Sequence, residues 1–224
     1  MKSLKFSELA ASDIRSIVTV HEMGVASYSW TQVDQLPLTS DEELQLRNIT
    51  SRLLYYQTNL MNEATIWARA IYPLLVLAEQ DDIQAWAQVP LRARYPHVEL
   101  YGVVDGVLGH GITGVIESPY LIVMEAKKSL DIQDPRFQLY GQLLAAAHLN
   151  WENNQAPRQE IYGCYTISDS WTFVRATVEE FTGERPTMTL EFSREYVEKI
   201  EAATILKILK QIVATHFQTI QEAI

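Results

Sequence analysis

Along the chain, apolar residues recur first at helical and then at strand spacing, and the changes of period mark out the elements. From Ser40, apolar positions at Leu44, Ile49, Leu53 and Tyr56 follow the charged run Asp41-Glu42-Glu43, which predicts a helix. Ser40, with Glu43 three residues on, offers a capping box for its start. Asn62 is the candidate cap of a second helix, "NEATIWARAIYPLLVLAEQ", in which Pro73 kinks or interrupts the middle. After "QDD" the pattern changes to three segments of strand character, "IQAWAQVPLRARY", "VELYGVVDGVLG" and "SPYLIVMEAKK", divided by prolines and glycines. "DPRFQLYGQLLAAAHLNWENN" returns to helical spacing behind an Asp134-Pro135 start signal, with Tyr140, Leu143, Leu144, Ala147 and Trp151 on one face. Two further strands, "QEIYGCYTI" and "WTFVRATVE", meet across the polar turn Ser168-Asp169-Ser170. A last strand in "TMTLEF" precedes a long helix expected over residues 194–221. Residues 1–40 form an N-terminal extension of irregular pattern, with room for a short helix near Phe6 to Val18. The order α, β-β-β, α, β-β, α predicts one α/β domain over residues 1–224, a central mixed sheet flanked by helices.

Composition narrows the function classes. The longest apolar run, Ala70 to Ala78, contains Pro73 and is far too short to span a bilayer, so no membrane association is expected. The N-terminus has no long apolar segment of the kind a signal peptide carries, and a cytoplasmic location is the expectation. Cys164 is the single cysteine, which removes an intramolecular disulfide and a cysteine zinc cluster. A formal net charge of −10 speaks against a general nucleic-acid coat protein, though not against a local basic cleft. Arg92, Arg94, Lys128 and Arg136 are the candidates for such a rim, with ordinary surface charge as the alternative.

The chemistry gathers at the end of "LIVMEAKK". In an extended chain Leu121, Val123, Glu125 and Lys127 share one face, so a carboxylate and an ammonium point the same way. Such a pair can hold a divalent cation, orient a water and neutralise developing phosphate charge. Taken alone, the triplet reads more readily as a strand end leaving the core and becoming solvated. The preceding strand changes the balance, because Asp105 sits among Val103, Val104, Val107 and Leu108, where an ionised carboxylate needs a partner or a metal. The competing reading makes Asp105-Gly106 a turn.

Asp105, Glu125-Ala126-Lys127 and the helix that follows resemble the PD-(D/E)xK nuclease superfamily, of restriction-endonuclease-like fold, over a core of about residues 60–178. The Asp lies in "VVD", without the proline of the family motif. The resemblance implies metal-dependent hydrolysis of phosphodiester bonds, most readily in DNA, with Mg²⁺ or Mn²⁺ at Asp105 and Glu125. It adds Glu63, in the helix before the sheet, as a third metal ligand, and Lys127 as the group assisting the attacking water. It also implies a site-lining glutamine on the following helix: Gln138 first, with Gln142, four residues on, read as amphipathic polarity. The alternative is a domain that keeps the nuclease fold without catalysis and acts in nucleic-acid binding or protein interaction. The long C-terminal helix raises the prospect of a homodimer.

Other signals carry less. Gly109-His-Gly-Ile-Thr-Gly114 spells a dinucleotide fingerprint, but a strand follows it, so it reads as a hairpin loop. His97, His110 and His148 form no spacing that suggests a metal site. Tyr162, Tyr165, Trp171 and Phe173 read as core.

Overall fold

The computed structural model describes residues 2–127 and 134–222. An eight-stranded mixed sheet runs through the molecule in the order β1-β4-β5-β6-β7-β8-β2, with β3 paired to the other edge of β4. The strands are β1 (Lys2–Lys5), β2 (Thr19–Val25), β3 (Ile83–Arg94), β4 (Val98–Ile112), β5 (Val115–Lys127), β6 (Arg158–Ile167), β7 (Ser170–Glu179) and β8 (Thr187–Val197). The helices are α1 (Ala11–Ile17), α2 (Ser40–Leu54), α3 (Glu63–Ile66), α4 (Tyr72–Leu77), α5 (Pro135–Asn154) and α6 (Glu198–Glu222), with a π-helical turn at Trp67–Ile71 joining α3 to α4.

Both faces of the sheet are covered. On one face Val123, Val174 and Leu190 pack against α5 through Leu139 and Leu143, and against Phe6 and Ile14 of the N-terminal segment. On the other, Ile122, Met124 and Ala126 pack against Ile71, Leu74, Ile205 and Leu209 from the α3–α4 run and α6. Burial on both sides explains why Leu121 to Met124 reads as a continuous apolar run. Each fully buried side chain of this kind contributes about 1.5–3 kcal/mol. Ile205, Leu206, Leu209 and Val213 of α6 lie in this intrachain core, while Ile200 near its start is exposed.

Several expectations shift. The N-terminal extension is not irregular: it supplies two strands, and both pair parallel with distant partners, Lys2 opposite Val98 and Thr19 opposite Thr187. The capping box sits one residue earlier than Ser40/Glu43. The Thr39 hydroxyl accepts from Glu42 N at 3.2 Å, and Thr39 N donates to Glu42 Oε2 at 2.7 Å. Asn62 does cap α3, its Oδ1 accepting from Thr65 N at 2.8 Å. Arg194 is not helical; β8 stays paired with β7 as far as Val197, and α6 starts only at Glu198. The glycine-rich loop is mostly strand, reduced to a tight turn at Thr113 and Gly114, both at positive φ.

Candidate functional site

β4 is one continuous strand, so Asp105-Gly106 is not a turn. Its pairing with β5 ends at Gly106 opposite Met124, and five residues further back, at Tyr101, the same edge is taken by β1. Between these two partners the edge of β4 is open, and Asp105 fills the gap with its side chain. Its Oδ2 accepts the Ala126 amide at 2.8 Å, continuing the ladder for one more bond, and its Oδ1 accepts from Gln88 Nε2 at 3.2 Å.

Gly106 is required by packing rather than by a turn. A Cβ there would overlap Trp67 Cη2 and come within 3.1 Å of Leu75 Cδ1. The bare backbone lets Trp67, in the helical run that begins at Glu63, lie directly on β4 beside Asp105.

Glu125 is fully buried. Its Oε2 accepts from Gln138 Nε2 and from Gln142 Nε2, each at 2.6 Å, and among the described residues its Oε1 has the Lys127 ammonium at 2.5 Å as its one partner. Gln142 is therefore not amphipathic polarity. It is as buried as Glu125 and holds the same oxygen as Gln138. Burial, with Asp105 adding to it and Lys127 opposing it, pushes the Glu125 carboxyl up from 4.5 to about 7. Burial pulls the Lys127 ammonium down, but the carboxylates of Glu125, Asp105 and Glu63 outweigh it and leave the group above its ordinary value. Lys127 thus stays cationic.

Glu63 opens α3 and is exposed to solvent. Partial desolvation raises its carboxyl, Lys127 lowers it and Asp105 raises it, so Glu63 stands in the field of both. Three carboxylates and one ammonium therefore share one end of the sheet. Among the described residues no group of three or more His, Cys, Asp and Glu side chains is gathered closely enough to hold a metal ion. The charge of Asp105 reaches both Glu125 and Glu63, so each remains a candidate donor beside it. Two carboxylates suffice for Mg²⁺, which keeps several of its waters.

The rim expected from the sequence does not form from free cations. Arg92 and Arg94 both bind Glu99, at 3.0 and 2.9 Å, and Arg136 binds Asp134. Lys128 lies outside the described residues. Two groups that sequence reasoning passed over do matter. Gln88 takes a positive φ of 55° on β3, directly across from Asp105, a costly conformation for a non-glycine residue. Nothing in "AWAQVPL" signals it.

The second group is the turn at Ser168-Asp169, which clamps the site from behind. Ser168 N donates to the Lys127 carbonyl at 2.8 Å. Asp169 Oδ1 accepts from the Thr58 hydroxyl at 2.7 Å, and Lys199 Nζ donates to that hydroxyl at 2.8 Å while lying 3.4 Å from Asp169 Oδ2. One turn thereby fixes the end of β5 and the segment leading into Glu63.

No protein-family model matches the chain, and no curated protein matches it either. The functional reading rests on the geometry.

Proposed function

We propose that the protein is a metal-dependent nuclease of the PD-(D/E)xK type, with a restriction-endonuclease-like core, acting on phosphodiester bonds in DNA. The observation that carries this reading is the pairing of a buried Glu125, pushed up to about 7, with Asp105 across a gap in the β4–β5 ladder, Lys127 alongside. A structural ion pair would balance its charges. Here the carboxylates outnumber the ammonium, a cost that is understandable at a site meant to receive a cation and a phosphate.

Asp105 and Glu125 would hold Mg²⁺ or Mn²⁺, which supplies a water of lowered pKa and neutralises charge on the scissile phosphate. The chain's own groups do the positioning. Gln138 and Gln142 hold Glu125 Oε2, which leaves Oε1 as the oxygen that meets Lys127. Ala126 N and Gln88 hold both oxygens of Asp105. Lys127, kept protonated by its neighbours, cannot take a proton from water. Its role is to donate hydrogen bonds and to stabilise negative charge as the water oxygen bonds to phosphorus and the phosphorus–oxygen bond to the leaving group breaks, the proton given up by the water ending on the leaving oxygen.

The test is cleavage of linear, circular and branched DNA with Mg²⁺ or Mn²⁺, comparing the wild type with Glu125→Ala and Asp105→Ala. Loss of metal-dependent cleavage in both variants is expected. Cleavage that survives both places the chemistry elsewhere. No cleavage by the wild type, with no metal binding by calorimetry, replaces the enzyme with a binding module.

A further inference from the structure

The strongest unassigned feature is a cleft of about 670 Å³ between α2 and the α3–α4 run. Gln45, Asn48 and Arg52 face it from α2; Tyr56, Arg69 and Tyr72 face it from the other side. Two properties coincide in it, in a chain of net charge −10. No carboxylate lines it, and neither Arg52 nor Arg69 has an ion-pair or hydrogen-bond partner among the described residues. By contrast, Arg92, Arg94, Arg136, Arg175 and Arg194 are all bound to carboxylates.

The cleft also has an aromatic floor. Arg69 lies over the Tyr56 ring at 5.2 Å, Tyr56 remains 43% exposed, and the neighbouring Tyr55 is 88% exposed. Arg69 is carried by the π-helical turn Trp67–Ile71, an irregularity that concentrates at functional positions. Unpaired guanidinium groups beside exposed rings are the chemistry that binds phosphates and stacks bases. In a duplex the bases are already stacked on one another, so an aromatic floor of this kind serves an unpaired strand. The cleft shares its helical run with the proposed active site: Arg69 follows Glu63 by six residues, about 9 Å along a helix axis.

We infer that this cleft is the track for a single strand of nucleic acid, with Arg52 and Arg69 on its phosphates and Tyr56 stacking on a base. The inference rests on the nuclease proposal for its substrate class, and makes that substrate a single strand or the single-stranded end of a branched one.

The experiment is fluorescence anisotropy of a short labelled oligothymidylate with the full chain, in chelator so that no cleavage occurs, across a salt series. Arg52→Ala/Arg69→Ala is expected to lower the salt slope by about 1.4, at about 0.7 per lost phosphate contact on a single strand. Tyr56→Ala is expected to weaken binding about tenfold, within the range of one lost base stack. Arg52→Lys/Arg69→Lys should retain the slope, and all three variants should keep the wild-type circular dichroism. An unchanged affinity and slope in the double alanine variant overturns the inference. So does duplex of the same sequence binding more tightly than the single strand. Thymidine monophosphate competing as well as the oligomer, nucleotide for nucleotide, overturns it in favour of a free-nucleotide site. If the cleft variants lose binding while the wild type never cleaves, the track stands and the nuclease reading falls.

Discussion

Replacing Glu125 by glutamine keeps an amide oxygen to accept from Gln138 and Gln142 while removing the charge, so it isolates the titration of one buried group. In the folded chain the carboxyl sits at about 7 against an ordinary 4.5, and its side chain is 1% exposed. The folded state therefore holds the proton more tightly than the unfolded state. The associated stability is fully present below about pH 4.5 and is lost as pH rises through about 7. At about 1.36 kcal/mol per pH unit, the loss between pH 5 and pH 8 is about 3 kcal/mol. For a domain of this size that corresponds to about 6–12 °C in Tm. Urea unfolding at the two pH values, in chelator, should show the wild type losing about 3 kcal/mol more than Glu125→Gln. Titrating groups remote from Glu125 are common to both proteins and cancel in the difference. Adding Mg²⁺ at pH 8 should restore stability to the wild type, by about 2.7 kcal/mol at a hundredfold excess over Kd, and leave the variant unmoved. Parallel pH profiles for the two proteins would refute the account of Glu125 as a buried, cation-seeking carboxylate.

Three further outcomes follow from named contacts. Gly106→Ala should cost about 1–3 kcal/mol by overpacking against Trp67, and Trp67→Leu in the same chain should recover much of it, measured as a coupling energy in a double-mutant cycle. Gln88→Gly relieves the positive φ and should leave thermal stability within about 1 kcal/mol of wild type. It should nevertheless lower kcat for cleavage, because Asp105 Oδ1 loses its donor. Asp169→Ala removes the acceptor of the Thr58 hydroxyl and the neighbour of Lys199, and should cost about 2 kcal/mol. Increased hydrogen exchange should then appear in residues 55–62, the segment those groups pin.

The sequence by itself determined what depends on local spacing and chemistry. The 3.6-residue period of α5 and its Asp134 start, the strand character of β3 to β7, and the Asn62 cap are all properties of neighbouring residues. The alternation along β5 likewise puts Glu125 and Lys127 on one side wherever the strand lies. The tertiary structure decided everything that depends on which distant segments meet. β1 and β2 are short and lack a pattern of their own; they are strands because β4 and β8 offer open edges to pair with. Asp105 is a site residue because the β4–β5 ladder stops one residue before it and leaves the Ala126 amide to be satisfied. Gln142 became a site residue because α5 packs on the face of the sheet from which Glu125 projects. Arg92 and Arg94 are neutralised by Glu99, one strand away, whereas Arg52 and Arg69 have no ion-pair partner among the described residues, because the two helices that carry them bring no carboxylate into the cleft between them. Charge and hydrogen-bond satisfaction are pairwise and depend on distance, so they are settled only once the chain has folded.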